Sequence, residues 1–249
     1  GHYMLITSLV MSLNQLLPVA MLLVLLQVVK KQSSLKIGSA LLIGAFMSFL
    51  YMQSASWVSQ WFEHQGLEYS QIGLCITIFI AVLVFAIKQK SAAFYIAVIS
   101  TITWYLSHYI VYVTSFWQKN DAGQSLFIGT LLGVGICLSF SVLLYFLMNA
   151  IKHRFGMYPH FTLLAFNSAA KLLVALDLAS QIDLITKAAT VWDLRDVLSE
   201  NSELGRVLRA LVGYEATPDL MSVLIYSTSS VIFLSLCYVI SASISKERV

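Results

Sequence analysis

Apolar runs of about twenty residues alternate with short polar breaks along nearly the whole chain, the length a helix needs to cross the hydrocarbon core of a bilayer. The runs fall at roughly 4–29, 37–61, 70–87, 93–116, 125–150, 160–186 and 219–243. They are too long and too uniformly apolar for barrel strands. They therefore predict helices, which satisfy every backbone polar group inside the segment. The expected fold is a single all-α integral membrane domain with seven transmembrane helices. The first run lacks a small-residue cleavage site and reads as a retained helix rather than a signal peptide. Gly1 and His2 read as an added scar ahead of Met4.

One break is long, about 187–218, and it has a pattern of its own. Leu204, Val207, Leu208 and Leu211 recur at helical spacing among charged residues. Ser202 or Asn201 can cap the start of such a helix, and Gly213 suits the left-handed position after its end. The spacing predicts a short amphipathic helix lying on one face of the membrane.

Charge adds an orientation. Only 11% of residues are charged against 59% hydrophobic, and the charges cluster in the breaks. Lys30, Lys31 and Lys36 occupy the first break, Lys88 and Lys90 the third, Lys152 and Arg154 the fifth, and Lys246 and Arg248 the tail. The second break holds Glu63 and Glu68 without Lys or Arg, and the fourth sets Lys119 against Asp121. By the positive-inside rule the odd breaks and the tail are cytoplasmic. The N-terminus is then outside, the C-terminus inside, and the long loop faces outward. A net charge of +3 confined to loops gives no reason to expect nucleic acid as a partner. The lipid bilayer is the partner the composition requires.

Candidate chemistry is sparse. Cys75, Cys137 and Cys237 lie inside apolar runs without a C-x-x-C pair, which argues against a disulfide framework or structural zinc. Walker loops, nucleophile elbows and H-E-x-x-H are absent, so nothing points to an enzyme. Asn14 and Gln15 precede Pro18, whose ring frees the Asn14 carbonyl. The result is either a polar spot lining a path or a kink satisfied by neighbouring helices. On the fourth span Thr101, Trp104, Tyr105, His108 and Tyr112 share a face. His108 sits deep in that span, where it can bind a metal, relay a proton or simply pack. Lys171 lies near mid-bilayer, at a cost of about 2.5–3.5 kcal/mol unless paired or hydrated. Asp177 is six residues further on and does not face Lys171 on a straight helix. Lys171 is either a fixed positive charge in a cavity, or it snorkels or forms one buried pair holding helices together. The spacing of Gly129, Gly133 and Gly135 marks a close helix contact. Trp57, Trp61, Trp117, Tyr158 and Trp192 read as interface anchors.

The stretch Val191-Trp192-Asp193, then the run from Ser202 to Tyr214 (S-E-L-G-R-V-L-R-A-L-V-G-Y), then Pro218, resembles the outer loop before the last helix of high-affinity iron permeases. In that family a W-D pair precedes S-x-L-G, a leucine-spaced helix, G-Y and a proline. The glycine-spaced fifth span is similar too, and the likeness covers roughly 125–240. It implies two inverted three-helix repeats plus a final helix, in a bacterial inner membrane, with iron as the transported ion. The family's two R-E-x-x-E motifs would fall on Leu13–Leu17 and on Trp104–His108, where none of the charged residues is present. Under this resemblance Asn14, Gln15, His108 and Asp177 would line the path, His108 would be the metal ligand and Lys171 would set the local charge. The alternative is a non-transporting membrane subunit. It would dock a periplasmic or membrane protein through Trp192, Asp193, Arg206, Arg209 and Tyr214. A proton or small-solute channel using His108 and Lys171 stands third.

Overall fold

The computed structural model describes residues 2–117 and 122–247. Lys119, Asp121 and Arg248, together with the side chain of Lys246, lie outside the described residues. The helices are α1 (His2–Val29), α2 (Ser34–Val58), α3 (Trp61–His64), α4 (Gly66–Lys88), α5 (Ser91–Trp117), α6 (Ala122–Phe155), α7 (Tyr158–Gln181), α8 (Glu203–Val212) and α9 (Leu220–Glu247). Seven of them, all but α3 and α8, are long and apolar enough to cross a membrane. The chain is a multi-pass membrane protein, and among the described residues it has no strand, only an isolated bridge between Thr190 and Asp219.

The outward faces explain the composition. Leu42 and Phe46 on α2, Leu131, Leu138, Leu143 and Phe146 on α6, and Val231 and Val239 on α9 are exposed. A water-soluble protein does not present apolar surface on this scale, whereas lipid tails cover it. Trp57, Trp61, Trp117 and Trp192 stand exposed around the α8 end of the bundle, and Tyr158 around the other. Those are the heights at which amphipathic rings meet headgroups.

Helix ends depart from the expected spans where the backbone turns left-handed. The second span was expected to reach 61, but α2 stops at Val58, ahead of a turn with positive φ at Phe62, Glu63 and His64. The sixth was expected to reach 186, but α7 stops at Gln181, because Asp183 at φ 62° directs the chain away. The Leu184 amide then closes the end on the Ala179 carbonyl at 3.0 Å. The fifth outruns its expected end at 150, continuing to Phe155. Lys152, His153 and Arg154 occupy its last turn, where cations suit the helix dipole.

The main apolar core lies toward one end of the bundle. The main core joins Leu22, Leu25 and Leu26 of α1 to Ile78, Val82 and Phe85 of α4, Phe94 and Val98 of α5, Leu164 of α7 and Phe233 of α9. These are residues from the second half of α1 and α4, the first half of α5 and α7, and the middle of α9. All of them lie toward the end that carries Lys30, Lys31, Lys36, Lys88, Lys90 and Lys152. His160 is fully buried there, and its Nε2–H donates to the Leu25 carbonyl at 2.7 Å. Toward α8 the buried clusters are smaller, Tyr109, Tyr112 and Leu126 in one and Leu17, Met21 and Cys137 in the other, and a cavity lies beside them.

Candidate functional site

That cavity, of about 390 Å³, opens between α1, α5, α7 and α8. Its deep wall is Asn14, Gln15 and Pro18 from α1, Trp104, Tyr105 and His108 from α5, and Lys171 from α7. Each lies near the middle of its helix, so the cavity reaches mid-membrane. Asp177 stands higher on α7. The roof is Glu200, Arg206, Arg209, Tyr214 and Glu215 from the loop and α8. The five path candidates therefore share one cavity with three of the five residues marked for docking. Trp192 is exposed, and Asp193 pairs with Arg195 at 2.7 Å on the loop surface. That pairing draws the Asp193 carboxyl down to about 2.

Lys171 is 4% exposed and has no carboxylate within ion-pair distance among the described residues. Its Nζ donates to the Tyr105 hydroxyl and lies 4.4 Å from the centre of the Tyr105 ring. One aromatic residue thus supplies both the hydrogen bond and the cation–π face. Asp177 is engaged elsewhere, with Lys187 of the loop at 3.1 Å. The same carboxylate holds the Lys187 ammonium above its ordinary value.

His108 is half-buried, and its Nδ1 faces the Trp104 carbonyl one turn earlier. A carbonyl only accepts, so Nδ1–H is the donor in this contact. The imidazole is tilted against the Trp104 ring at 4.3 Å between centroids. His108 is also common to a second cavity of about 490 Å³, bounded by Met11, Tyr51, Met52, Gln71 and Tyr112. It forms part of the wall between the two. Among the described residues no three His, Cys, Asp or Glu side chains come close enough together to hold a metal ion.

The roof is held by few bonds, and most are polar. The Ser202 hydroxyl caps α8 by accepting from the Gly205 amide at 3.0 Å, and Gly213 ends it at φ 74°. A side chain on Gly213 would also strike Ala170 of α7, with its Cβ only 2.4 Å from the Ala170 Cβ. Asn167 donates to the Leu211 carbonyl at 2.8 Å, tying the free end of α8 to α7. Glu200 accepts from the Ala216 amide at 2.8 Å and pairs with Arg209 at 2.9 Å. Burial, followed by the neighbouring Asp177 and Glu200, pushes the Glu215 carboxyl above the usual range, with Arg209 and Lys187 offsetting part of the rise.

Sequence reasoning did not single out Asn167, Glu200 or Glu215. Asn167 carried a usable signal, since it stands four residues before Lys171 inside an apolar run. The two glutamates carried none, because acidic residues in a loop are ordinary. Removing Glu200 tests the roof. Glu200→Ala leaves the Ala216 amide and the Arg209 guanidinium without their partner, a loss of about 1.5–3 kcal/mol. Tryptic cleavage at Arg195 and Arg209 should accelerate about tenfold or more as the open population grows. Unchanged cleavage would mean that Glu200 does not hold the loop down.

No family model, curated protein or solved structure matches this chain.

Proposed function

We propose that this chain is a permease-type membrane protein that binds a small solute in its mid-membrane cavity and moves it across the bilayer. The observation that carries this reading is the cavity itself. Three spans contribute polar side chains at mid-height, where such groups are costly, and a charged loop roofs them. The frame is that of a divergent high-affinity iron permease, with α1, α2 and α4 forming one three-helix repeat, α5, α6 and α7 its inverted partner, and α9 closing the bundle. Packing supports the repeat: α1 lies on α6, α2 on α5 and α4 on α7. Exchange of the two halves turns the first pair into the second and leaves the third unchanged.

The lysine-rich end faces the cytoplasm in this reading, and α8 faces outward. The solid core then seals the inner half while the cavity opens to the outside, the arrangement of an outward-facing carrier. The host membrane is a bacterial inner membrane, as the resemblance implies, and iron is the cargo to try first. Purified protein in proteoliposomes should take up radioactive iron, offered as ferrous ion, ferric ion and ferric chelate, and His108→Ala should lose most of the uptake. Well-inserted protein that takes up none of these forms would sink the transport reading.

One observation favours a second reading, a non-transporting membrane subunit. The described residues include no three-ligand group for a bare metal. That reading expects a membrane or periplasmic protein to co-purify through the loop around Trp192. A chain that crosslinks to nothing would remove it.

A further inference from the structure

The charges around the cavity are equal in number but are not all paired with one another. Three carboxylates and three cations line it: Asp177, Glu200 and Glu215 against Lys171, Arg206 and Arg209. Two of the carboxylates are already committed, Asp177 to Lys187 and Glu200 to Arg209 and the Ala216 amide. Glu215 is partly buried and makes no ion pair among the described residues. Among the cations only Arg209 is matched. Lys171 has only the Tyr105 hydroxyl and ring. The Arg206 side chain is half-buried and has no hydrogen bond or ion pair among the described residues. A buried ammonium and a guanidinium unpaired among the described residues therefore face one concavity, with aromatic walls at Trp104 and Tyr105 and the Asn14 and Gln15 side chains beside them.

We infer that the cavity is an anion site, taking a small solute that bears a carboxylate or phosphate, or a metal held inside a negatively charged chelate. A free ferrous or ferric ion would meet Lys171 in a low-dielectric pocket, where like charges repel strongly. A carboxylate or phosphate instead supplies the acceptors that Lys171 and Arg206 lack, through charge-assisted hydrogen bonds. The Tyr105 hydroxyl and the Asn14 and Gln15 amides can donate to its remaining oxygens. The same chemistry could come from an anionic lipid headgroup entering at the roof, so the test separates the two sources. The inference rests on the cavity being a binding site and does not require transport.

The test is equilibrium binding of radiolabelled citrate, inorganic phosphate and ferric citrate to the full chain in nanodiscs of neutral lipid. At least one of these anions should bind saturably and more weakly as salt rises, while free ferrous ion should not bind. Lys171→Met should weaken binding about thirtyfold or more, as loss of one partner of a buried charge pair does. Arg206→Gln, a milder change near the surface, should weaken it by a smaller factor. Arg195→Gln, outside the cavity, should leave it unchanged. Loss of citrate binding on adding phosphatidylglycerol to the disc would keep the anion chemistry and name the lipid as its source.

No saturable binding by any of these anions to monodisperse wild-type protein would overturn the inference, as would binding indifferent to both Lys171→Met and Arg206→Gln. Anion binding without uptake of any probe would leave the site standing and remove the permease reading. Uptake of free iron without anion binding would do the reverse.

Discussion

Gly133→Leu is expected to leave no folded protein, while Gly135→Leu, two residues away on the same helix, should be silent. The difference comes from what each glycine faces. Helix α6 lies along α1, with Gly129 against Ser8 and Gly133 against Ser12. A Cβ at position 133 would sit 2.8 Å from the Ser12 Cβ, and one at position 129 would sit 2.9 Å from the Ser8 Cβ and 3.0 Å from the Leu5 carbonyl. Carbon atoms rest about 3.5–4.0 Å apart, so even alanine must push the helices apart. Separation would also stretch the bonds from the Ser8 hydroxyl to the Ser125 carbonyl at 3.0 Å and from the Ser12 hydroxyl to the Gly129 carbonyl at 3.4 Å. Gly133→Ala should therefore cost about 1–3 kcal/mol, with leucine beyond repair. Gly135 has nothing within 4 Å of an added Cβ and faces lipid. Yield and melting temperature by fluorescence-detected size exclusion would separate the three variants. Ser12→Gly combined with Gly133→Ala should recover most of the loss, because the double change removes the clash. A Gly133→Leu protein that melts like wild type would show that α1 and α6 do not meet this closely.

That contact also shows what could and could not be read from the sequence. The spacing of Gly129 and Gly133 announced a close helix approach, and Ser8 and Ser12 repeat it on the partner. Nothing in either segment said that they pair, because pairing is a property of the whole bundle. The seven spans and α8 were legible because burial in lipid and a half-buried surface each impose a period on the sequence. The ends of α2 and α7 were not. The chain turns after them through positive φ at Phe62, Glu63 and His64 and at Asp183, and no sequence rule assigns that conformation to phenylalanine or glutamate. In the cavity, Asn14, Gln15, His108 and Lys171 stood out because a polar residue in an apolar run is conspicuous. Arg206, Arg209 and Tyr214 stood out only as docking residues of the outer loop, and Glu200 and Glu215 not at all, since polarity in a loop does not point into a cavity until the loop folds back over the membrane.

Lys171 and Tyr105 should answer mutation with opposite signs. Lys171→Met keeps the volume of the side chain and removes a charge that a bilayer disfavours by about 2.5–3.5 kcal/mol. Replacing a buried charge with a well-packed apolar residue is commonly neutral or stabilising by about 1–4 kcal/mol. The variant should therefore melt at or above the wild-type temperature. Tyr105→Phe leaves the ammonium in place with the ring beneath it but takes away its hydrogen-bond partner, a loss of about 1.5–3 kcal/mol for a charged donor. That variant should melt lower, and Lys171→Met added to it should restore the melting temperature, because the stranded charge is then gone. Under the anion site proposed above, the stabilised Lys171→Met protein should be the one that no longer binds the anion, a trade of stability for function. A Lys171→Met protein that unfolds more readily than wild type, and that Tyr105→Phe destabilises no further, would instead mark the pair as a structural link between α5 and α7.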